Sequence, residues 1–308
     1  MSTHLNDTDN ITNCANCGSG EETTGDLKAC TACKLVKYCN RECQIAHRPL
    51  HKKACKKRAA ELHDDALFRE HLPREDCPIC FLPLPLDASE IQFQSCCGKI
   101  ICFGCTVSMI KEAGELGICA FCREPDTWED ADEVERLRKL MDANNARAFY
   151  NLAGYYERGD GVPQDMAKAI ELQLRAGELG CADSYHNLGI SYDNGDGVEM
   201  NKKKGKHFYE LAAMNGSVNA RYNLGCVEME AGNHSRACKH FILAANAGSK
   251  DALDWVKDAF MEGLVTKDQY ENSLRAYHSQ HNEMKSDQRD RASEILQDYE
   301  RNDQGASW

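Results

Sequence analysis

The chain has 308 residues, 18 cysteines and a formal net charge of −12. Its length allows two or three domains of about 100 to 200 residues each, and the acidic balance disfavours nonspecific binding to nucleic acid. The first ten residues lack the apolar core of a signal peptide, and no stretch approaches the about 18 apolar residues of a membrane helix. We therefore expect an intracellular protein, cytoplasmic or nuclear, in which closely spaced cysteines bind metal and do not form disulfides.

Residues 1–13 are polar and predicted to be disordered. Residues 14–55 then hold eight candidate metal ligands in four short pairs. The pairs are Cys14 with Cys17, Cys30 with Cys33, Cys39 with Cys43, and His51 with Cys55. Zinc takes four nitrogen or sulfur ligands in a tetrahedron, and a Cys-x2-Cys turn offers two thiolates to one ion. This segment is therefore predicted to be a module built around two zinc ions.

His51 is a better candidate for the eighth ligand than His47. Residues four apart on a helix share a face, so His51 and Cys55 can converge on one ion. His47 would instead share a face with Cys43, and Pro49 separates the two turns.

A linking helix is predicted over residues 56–76, because Leu62, Ala66 and Leu67 recur at helical spacing before Pro73. Residues 77–122 then form a second cysteine-rich segment. Its eight cysteines are Cys77, Cys80, Cys96, Cys97, Cys102, Cys105, Cys119 and Cys122. Both segments are too small for a large apolar core, so we expect metal to fold them.

A linker helix is predicted over residues 123–142, and a repeat follows it. The markers of the repeat are Asn-Leu pairs at Asn151, Asn187 and Asn223 and closing glycines at Gly180, Gly216 and Gly248. The spacing is 36 residues, except that the third unit is four residues shorter. Closing glycines favour left-handed helix ends, and single helix pairs cannot bury their apolar faces alone. Residues 143–265 are therefore predicted to be a helical solenoid of about three and a half units.

The end of the chain, residues 266–308, is predicted to be a capping helix and a tail. Thr266 and Gln269 form a capping-box pattern at the start of this helix, and the tail is expected to fray from Asn302. Three cysteines remain outside the paired sets, Cys181, Cys226 and Cys238. We expect them to be small packing residues of the solenoid.

The ligand order of residues 14–55, with Tyr38 before Cys39 and Lys52 after His51, resembles the MYND zinc finger. The resemblance implies interleaved ligand pairs. Zinc 1 would be held by Cys14, Cys17, Cys39 and Cys43, and zinc 2 by Cys30, Cys33, His51 and Cys55. It also implies a module that binds short proline-rich peptides. The alternative is that zinc only folds the segment.

Residues 77–122 resemble a RING finger in an all-cysteine variant. The usual histidine would fall at Lys99, and a protonated lysine has no lone pair for zinc. Adjacent Cys96 and Cys97 are therefore expected to supply the third and fourth ligands. The implied cross-brace places Cys77, Cys80, Cys102 and Cys105 at zinc 3, and Cys96, Cys97, Cys119 and Cys122 at zinc 4.

Two residues of this second module are candidates for contact with a ubiquitin-conjugating enzyme. The RING resemblance implies that role for an apolar residue between the first two cysteines, which is Ile79, and for a basic residue after the last ligand, which is Arg123. The alternative is a purely structural module in which Ile79 packs and Arg123 is solvated. No catalytic residue is expected in this chain, because the chemistry would belong to the thioester of the partner and this module would only position it.

Residues 143–280 resemble the SEL-like branch of the tetratricopeptide superfamily. Three positions depart from the pattern: Ala153 replaces a glycine, Gly205 replaces an alanine, and Glu228 replaces a tyrosine. Repeats of this family imply a curved scaffold for a protein partner and carry no catalytic chemistry.

The predicted fold class is multidomain, with two small zinc-stabilised cross-brace modules followed by an all-α helical-repeat solenoid and up to four Zn²⁺ ions. The predicted function is a zinc-binding scaffold for protein partners, which bind the repeats and the MYND finger, with RING-type ubiquitin ligation as its best specific activity. The alternative is a non-catalytic adaptor that assembles a complex. A methyltransferase is disfavoured because no length remains for a catalytic domain, and nucleic-acid binding is disfavoured by the net charge.

Overall fold

The computed structural model describes residues 11–21, 25–70, 74–113, 118–125, 127 and 129–304. They divide into two compact units, one ending at Arg69 and the other beginning at Glu70. The disorder predicted for residues 1–10 lies outside the described residues. Asn13, which the same prediction covers, pairs with Gly20 in an antiparallel β-bridge. Ordered structure therefore begins before the first candidate ligand.

The first unit is a small hairpin followed by one long helix. Strand β1 (Lys28–Ala29) pairs antiparallel with β2 (Lys37–Tyr38), and helix α1 spans Arg41–Leu67. Asn40 caps this helix, because its side chain accepts a 2.8 Å hydrogen bond from the backbone N–H of Cys43.

The structure corrects the linking helix predicted over residues 56–76. Helix α1 begins at Arg41 and ends at Leu67, so the predicted segment is the second half of a longer helix. The helix continues through Pro49, which has no backbone N–H and leaves the carbonyl of Ile45 without a helical hydrogen bond from that position. The last ligands of the first cysteine-rich segment therefore lie on this helix and do not precede it.

The second unit begins with the second cysteine-rich segment. Strands β3 (Ile91–Gln94) and β4 (Lys99–Cys102) form an antiparallel hairpin, and α2 (Phe103–Ala113) follows directly. The small core of this segment consists of Cys77, Leu84, Ile101, Cys102 and Cys105. Because cysteines make up most of this core, the segment has little apolar area with which to fold alone.

Helix α3 (Asp130–Asp142) leads into four helix pairs. The pairs are α4 (Ala146–Arg158) with α5 (Met166–Glu178), α6 (Ala182–Asn194) with α7 (Lys202–Met214), α8 (Val218–Glu230) with α9 (His234–Asn246), and α10 (Lys250–Met261) with α11 (Lys267–Met284). Each helix from α3 to α10 packs on the next one, and α11 also packs on α9. The helix predicted to be a cap is therefore the second helix of the fourth pair.

Glycines set the turns between these helices. Gly180, Gly216 and Gly248 follow the second helices with φ of 99°, 100° and 103°, a region in which a side chain would be strained. These are the closing glycines that the sequence predicts to be left-handed. The first helices α4 and α6 also end at left-handed glycines, Gly159 and Gly195.

Small residues allow the helices to approach closely. A small residue near the start of the first helix is fully buried in each of the first three pairs: Ala148, Ser184 and Ala220. A Cβ atom on Gly189 would lie 2.4 Å from the ring of Tyr209, and one on Gly225 would lie 2.6 Å from the ring of Phe241. Glycine is required at both positions, because an aromatic ring from the following helix occupies the space.

The end of the chain forms two helices where the sequence predicts one helix and a tail. Helix α11 has the predicted capping box between Thr266 and Gln269. Helix α12 (Asp287–Gln304) passes through Asn302, where fraying is predicted, and packs against α2. Among the described residues, no helix combines the length and the apolar character that crossing a membrane requires.

Candidate metal centres

Four clusters of metal-ligand side chains lie in the two cysteine-rich segments. Clusters 1 to 4 are, in order, Cys14, Cys17, Cys39 and Cys43; Cys30, Cys33, His51 and Cys55; Cys77, Cys80, Cys102 and Cys105; and Cys96, Cys97, Cys119 and Cys122. The ligand atoms of each cluster all lie within 4.8 Å of one another. The structure therefore brings together the sets that the two family resemblances imply for zinc 1 to zinc 4.

The distances between sulfur atoms fit tetrahedral zinc. A Zn–S bond of about 2.3 Å places two thiolates of a tetrahedral site about 3.8 Å apart. The Sγ–Sγ distances are 3.7 Å for Cys17–Cys39, 3.7 Å for Cys30–Cys55, 3.8 Å for Cys80–Cys102 and 3.6 Å for Cys97–Cys119. Disulfides need about 2.05 Å, so these sulfurs are arranged around a common centre and are not bonded to each other.

The histidine of cluster 2 is His51. Its Nε2 lies 3.2 Å from Sγ of Cys33, and the side chain is buried. His47 lies one turn earlier on α1, and its Nδ1 is 3.1 Å from the hydroxyl of Tyr38. The two imidazole rings stack with centroids 5.7 Å apart. Tyr38 thus orients His47, and among the described residues only His51 of the pair joins a cysteine cluster.

Four of the Cys-x2-Cys pairs share one local backbone arrangement. The residue after the second cysteine is left-handed in each case: Gly18, Lys34, Phe81 and Arg123, with φ of 77°, 57°, 57° and 61°. Its N–H donates to the carbonyl of the first cysteine of the pair. Backbone N–H groups also reach the sulfurs, as from Leu35 to Sγ of Cys33 at 3.5 Å. Three of the four left-handed residues are not glycine, so the rest of the site must offset their strain.

The thiols of one cluster cannot all ionise without a cation. Burial opposes ionisation of Cys30, but hydrogen bonds from backbone N–H groups and from His51 lower its pKa to about 6. Burial and hydrogen bonds with Cys30 and Cys33 raise the pKa of Cys55 to about 12. In each of the other clusters the pKa of one thiol is likewise lowered and that of another is raised. A bound dication would hold all the ligands of a cluster in their deprotonated form.

Adjacent Cys96 and Cys97 both reach cluster 4 because they lie in the turn between β3 and β4. Gly98 is left-handed there, with φ of 74°, and its N–H donates to the carbonyl of Gln94 at 2.7 Å. Within a strand, neighbouring side chains would point to opposite faces, so the turn is what lets both cysteines converge. Lys99 is exposed at the start of β4 and is not part of the cluster.

One residue at cluster 3 comes from the far end of the chain. The guanidinium of Arg289, on α12, donates to the carbonyls of Pro83 at 2.7 Å and Leu82 at 3.3 Å, and its Nη2 lies 3.5 Å from Sγ of Cys80. Gly104 on α2 admits this helix, since a Cβ there would meet the backbone of Arg289 at 3.0 Å. Four thiolates around one dication keep a net negative charge, which an adjacent guanidinium stabilises. Nothing in the local sequence identifies Arg289.

The two candidate contacts for a conjugating enzyme have different surroundings. Ile79 lies between two ligands of cluster 3 and is half-buried against the core of its segment. Arg123 directly follows the last ligand of cluster 4, and its side chain is exposed. Arg123 is therefore accessible to another protein, whereas part of Ile79 serves internal packing.

Comparison with known families matches two parts of the chain. The model of the MYND finger matches residues 14–55, and the model of the Sel1 repeat matches residues 146–181, 182–217 and 218–249. The first match runs from the first to the last ligand of clusters 1 and 2, and the second covers helices α4 to α9. The comparison with curated proteins returned no match.

Several solved structures are similar to part of the chain. One is c5321, a protective antigen of uropathogenic Escherichia coli with an SLR fold, at 28% identity, TM-score 0.43, and coverage of 49% of this chain and 33% of that chain. A Sel1 repeat protein from Oxalobacter formigenes has 21% identity, TM-score 0.44, and coverage of 57% and 71%. The immunity protein Pa5087 from Pseudomonas aeruginosa has 18% identity, TM-score 0.30, and coverage of 67% and 86%. This chain thus spans about one third of the length of c5321.

The predicted fold class is confirmed, since a cysteine-rich, zinc-type N-terminal region precedes a helical repeat region. The MYND finger and the Sel1 repeats are both generally protein-interaction modules. The chain therefore contains a MYND finger at residues 14–55 and three Sel1 repeats within residues 146–249, and it carries further cysteine clusters compatible with additional zinc sites.

Proposed function

We propose that this chain is a zinc-dependent scaffold in which the Sel1 repeats select one protein partner and the MYND finger binds another. The MYND finger and the Sel1 repeats support a protein-interaction scaffold. The role of the repeats in selecting a partner is supported by the surface formed by their first helices, where polar side chains link one helix to the next. Arg147 pairs with Asp183 at 2.7 Å, and Asn223 contacts Nε2 of His186 at 3.1 Å. A continuous row of this kind suits an extended protein segment.

Within this proposal, clusters 1 to 4 hold zinc 1 to zinc 4. Bound zinc would keep each cysteine-rich segment folded, because neither segment has a large apolar core. The helical repeats should not need the metal, since each repeat packs mainly on its neighbours. Chelation of zinc is therefore expected to abolish binding through the MYND finger and to leave the helical repeats folded.

The test uses the full chain as bait in chemical crosslinking from lysate, with quantification by mass spectrometry. Asn187→Arg/Asn223→Arg places two bulky cations on the surface of the first helices. Met200→Arg/Ser235→Arg adds the same charge at exposed positions away from those helices. We expect a partner that the wild-type and control baits recover equally and that the surface variant loses. Equal recovery by all three baits would contradict the proposed role of this surface.

A second candidate function is ubiquitin ligation by the second cysteine-rich segment. It is supported by Ile79 and Arg123, which stand where the RING resemblance implies contacts with a conjugating enzyme. The purified chain, mixed with activating enzyme, a panel of conjugating enzymes and ubiquitin, should then build ubiquitin chains. Ile79→Ala and Arg123→Ala should abolish this activity without changing the zinc content. If no conjugating enzyme responds while the repeats still recover their partner, the chain is a non-catalytic adaptor.

A further inference from the structure

The first Sel1 repeat departs from the next two at a buried position. Tyr209 in the second repeat and Phe241 in the third are buried aromatic residues whose rings pack on Gly189 and Gly225. The corresponding residue of the first repeat is Gln173, 36 residues before Tyr209. Gln173 is only 1% exposed. The first repeat therefore has a buried amide where the others have a ring.

A cavity of about 310 Å³ lies beside Gln173. Its lining includes the aromatic residues Phe93, Tyr150 and Tyr155. Ala153 of the first repeat stands where the next two repeats have Gly189 and Gly225. The first repeat therefore also lacks the glycine on which the ring packs in the other two. The first repeat thus has a cavity beside the position at which the other two repeats have a ring.

Gln173, which lines the cavity, has a buried acceptor atom that needs a donor. Nε2 of Gln173 donates to Oε1 of Glu157 at 3.3 Å. Oε1 of Gln173 is buried, and no group in the described part of the chain donates to it. A buried amide oxygen without a donor is unfavourable. The cavity is therefore matched to a ligand that brings N–H groups.

The charge of the cavity favours a cation. Glu133 and Glu157 both line it, and the one cation among the described lining residues, Arg158, is paired with Asp160. Arg158 also lies over the ring of Tyr155, 5.4 Å from its centroid. Burial, together with the charge of Glu133, raises the pKa of Tyr155 to about 12. A ligand of negative charge would be repelled here, and a positively charged one attracted.

We propose that this cavity binds a lysine or arginine side chain of the protein partner that the repeats select. The N–H groups of the cation would donate to Oε1 of Gln173 and to the carboxylates of Glu133 and Glu157, and charge-assisted hydrogen bonds of this kind are the strong ones. The rings of Tyr150 and Phe93 would cover the aliphatic stem. The inference rests on the proposed function of the repeats and adds the chemistry of the residue that anchors the partner.

The test measures binding of small probes to the full chain by saturation-transfer NMR. The probes are acetyl-arginine methylamide and acetyl-lysine methylamide, with the uncharged acetyl-citrulline and acetyl-norleucine methylamides as matched controls. We expect at least one cationic probe to bind about tenfold more tightly than its neutral counterpart. Equal affinity of the charged and neutral probes would overturn the proposal.

Two variants separate the cavity from the rest of the surface. Glu157→Gln should weaken binding of the cationic probe about tenfold, because it removes one charge. Ala153→Gly/Gln173→Tyr installs the pair found in the second repeat, so it should fill the cavity and abolish binding while the helices remain folded by circular dichroism. Glu171→Gln is the control for Glu157→Gln. It removes a carboxylate from an exposed position of α5, the helix that carries Gln173, and should leave the affinity unchanged.

Unchanged affinity in the cavity-filling variant would place the probe elsewhere and refute the site. The probes need no partner, so the result does not depend on the crosslinking experiment. Crosslinking could find no role for the first helices while the cationic probes still bind more tightly than the neutral ones. That result would support the cavity as a cation site and refute the proposed partner surface.

Discussion

Glu228 offers a quantitative test of how the third repeat is held together. Its side chain is 1% exposed and accepts hydrogen bonds from Lys206 at 2.8 Å, Asn233 at 2.7 Å and Arg236 at 3.1 Å. Burial alone would raise the pKa of Glu228, but hydrogen bonds from these three donors lower it overall. The carboxylate is therefore the centre of a buried charge cluster.

Glu228→Ala removes that centre. Breaking a fully buried ion pair costs about 3 to 5 kcal/mol. Lys206 and Arg236 are 32% and 30% exposed, so each can recover part of its hydration. We therefore expect the free energy of unfolding to fall by about 2 to 3 kcal/mol. Since the folded pKa lies below the ordinary value of 4.5, this stabilisation is present above about that pH and is lost as the pH falls through the folded pKa.

Urea unfolding of the zinc-saturated chain, followed by helical circular dichroism, measures the change, and hydrogen exchange should localise it to α8 and α9. A rescue variant uses the second repeat as a template, where Tyr192 stacks on Phe208 with centroids 5.4 Å apart. The corresponding residues of the third repeat are Glu228 and His240. Glu228→Tyr/His240→Phe should match or exceed the wild-type stability, because apolar residues often replace a buried ion pair without loss. A loss below about 0.5 kcal/mol in Glu228→Ala, the level of an ordinary surface substitution, would refute the reasoning.

Three other outcomes are expected. Elemental analysis of the dialysed protein should find about four zinc ions per chain. Cys96→Ser should bind about one ion fewer, and Lys99→Ala should lose none. A content near two would mean that only one of the two cysteine-rich segments binds zinc. Arg289→Ala should speed zinc release to a chelator about tenfold, whereas release in Arg291→Ala, a change at an exposed neighbour, should match wild type. Burial lowers the pKa of His240 from 6.5 to about 3, so stability should fall as the pH drops between these values, and acid titration of His240→Phe should lack that part of the loss.

Local chemistry explains why the sequence predicts the ligand clusters and the repeat boundaries. A short Cys-x2-Cys turn can present two sulfurs to one centre, so its spacing alone marks a pair. The choice of His51 over His47 follows from helical facing, and the structure brings His51 to Cys33. The closing glycines, such as Gly180, are predictable because a helix end that needs a positive φ selects glycine.

Long-range contacts could not be predicted in the same way. Arg289 lies 209 residues from Cys80, and no periodicity or spacing connects them. The start of α1 at Arg41 is not predictable from the sequence, because Pro49 lies inside the helix and proline usually ends one. The packing that keeps this helix continuous is not a local property. The second C-terminal helix, α12, is polar in sequence, and its contact with α2 depends on the folded shape of the second cysteine-rich segment.

The departures from the repeat pattern are more informative than its matches, because each repeat serves as a control for the others. Gly205 is explained by packing, since a Cβ there would lie 3.1 Å from the carbonyl oxygen of Gly189. Glu228 is explained by its three donors, which satisfy it within the fold. The first repeat differs from both, because it has a cavity lined by Gln173, and no described residue donates to the buried Oε1 of that side chain. A departure that the fold satisfies needs no ligand, and one that it leaves unsatisfied is the place where a ligand contributes most. Among these departures, the first repeat is therefore where partner recognition should be sought.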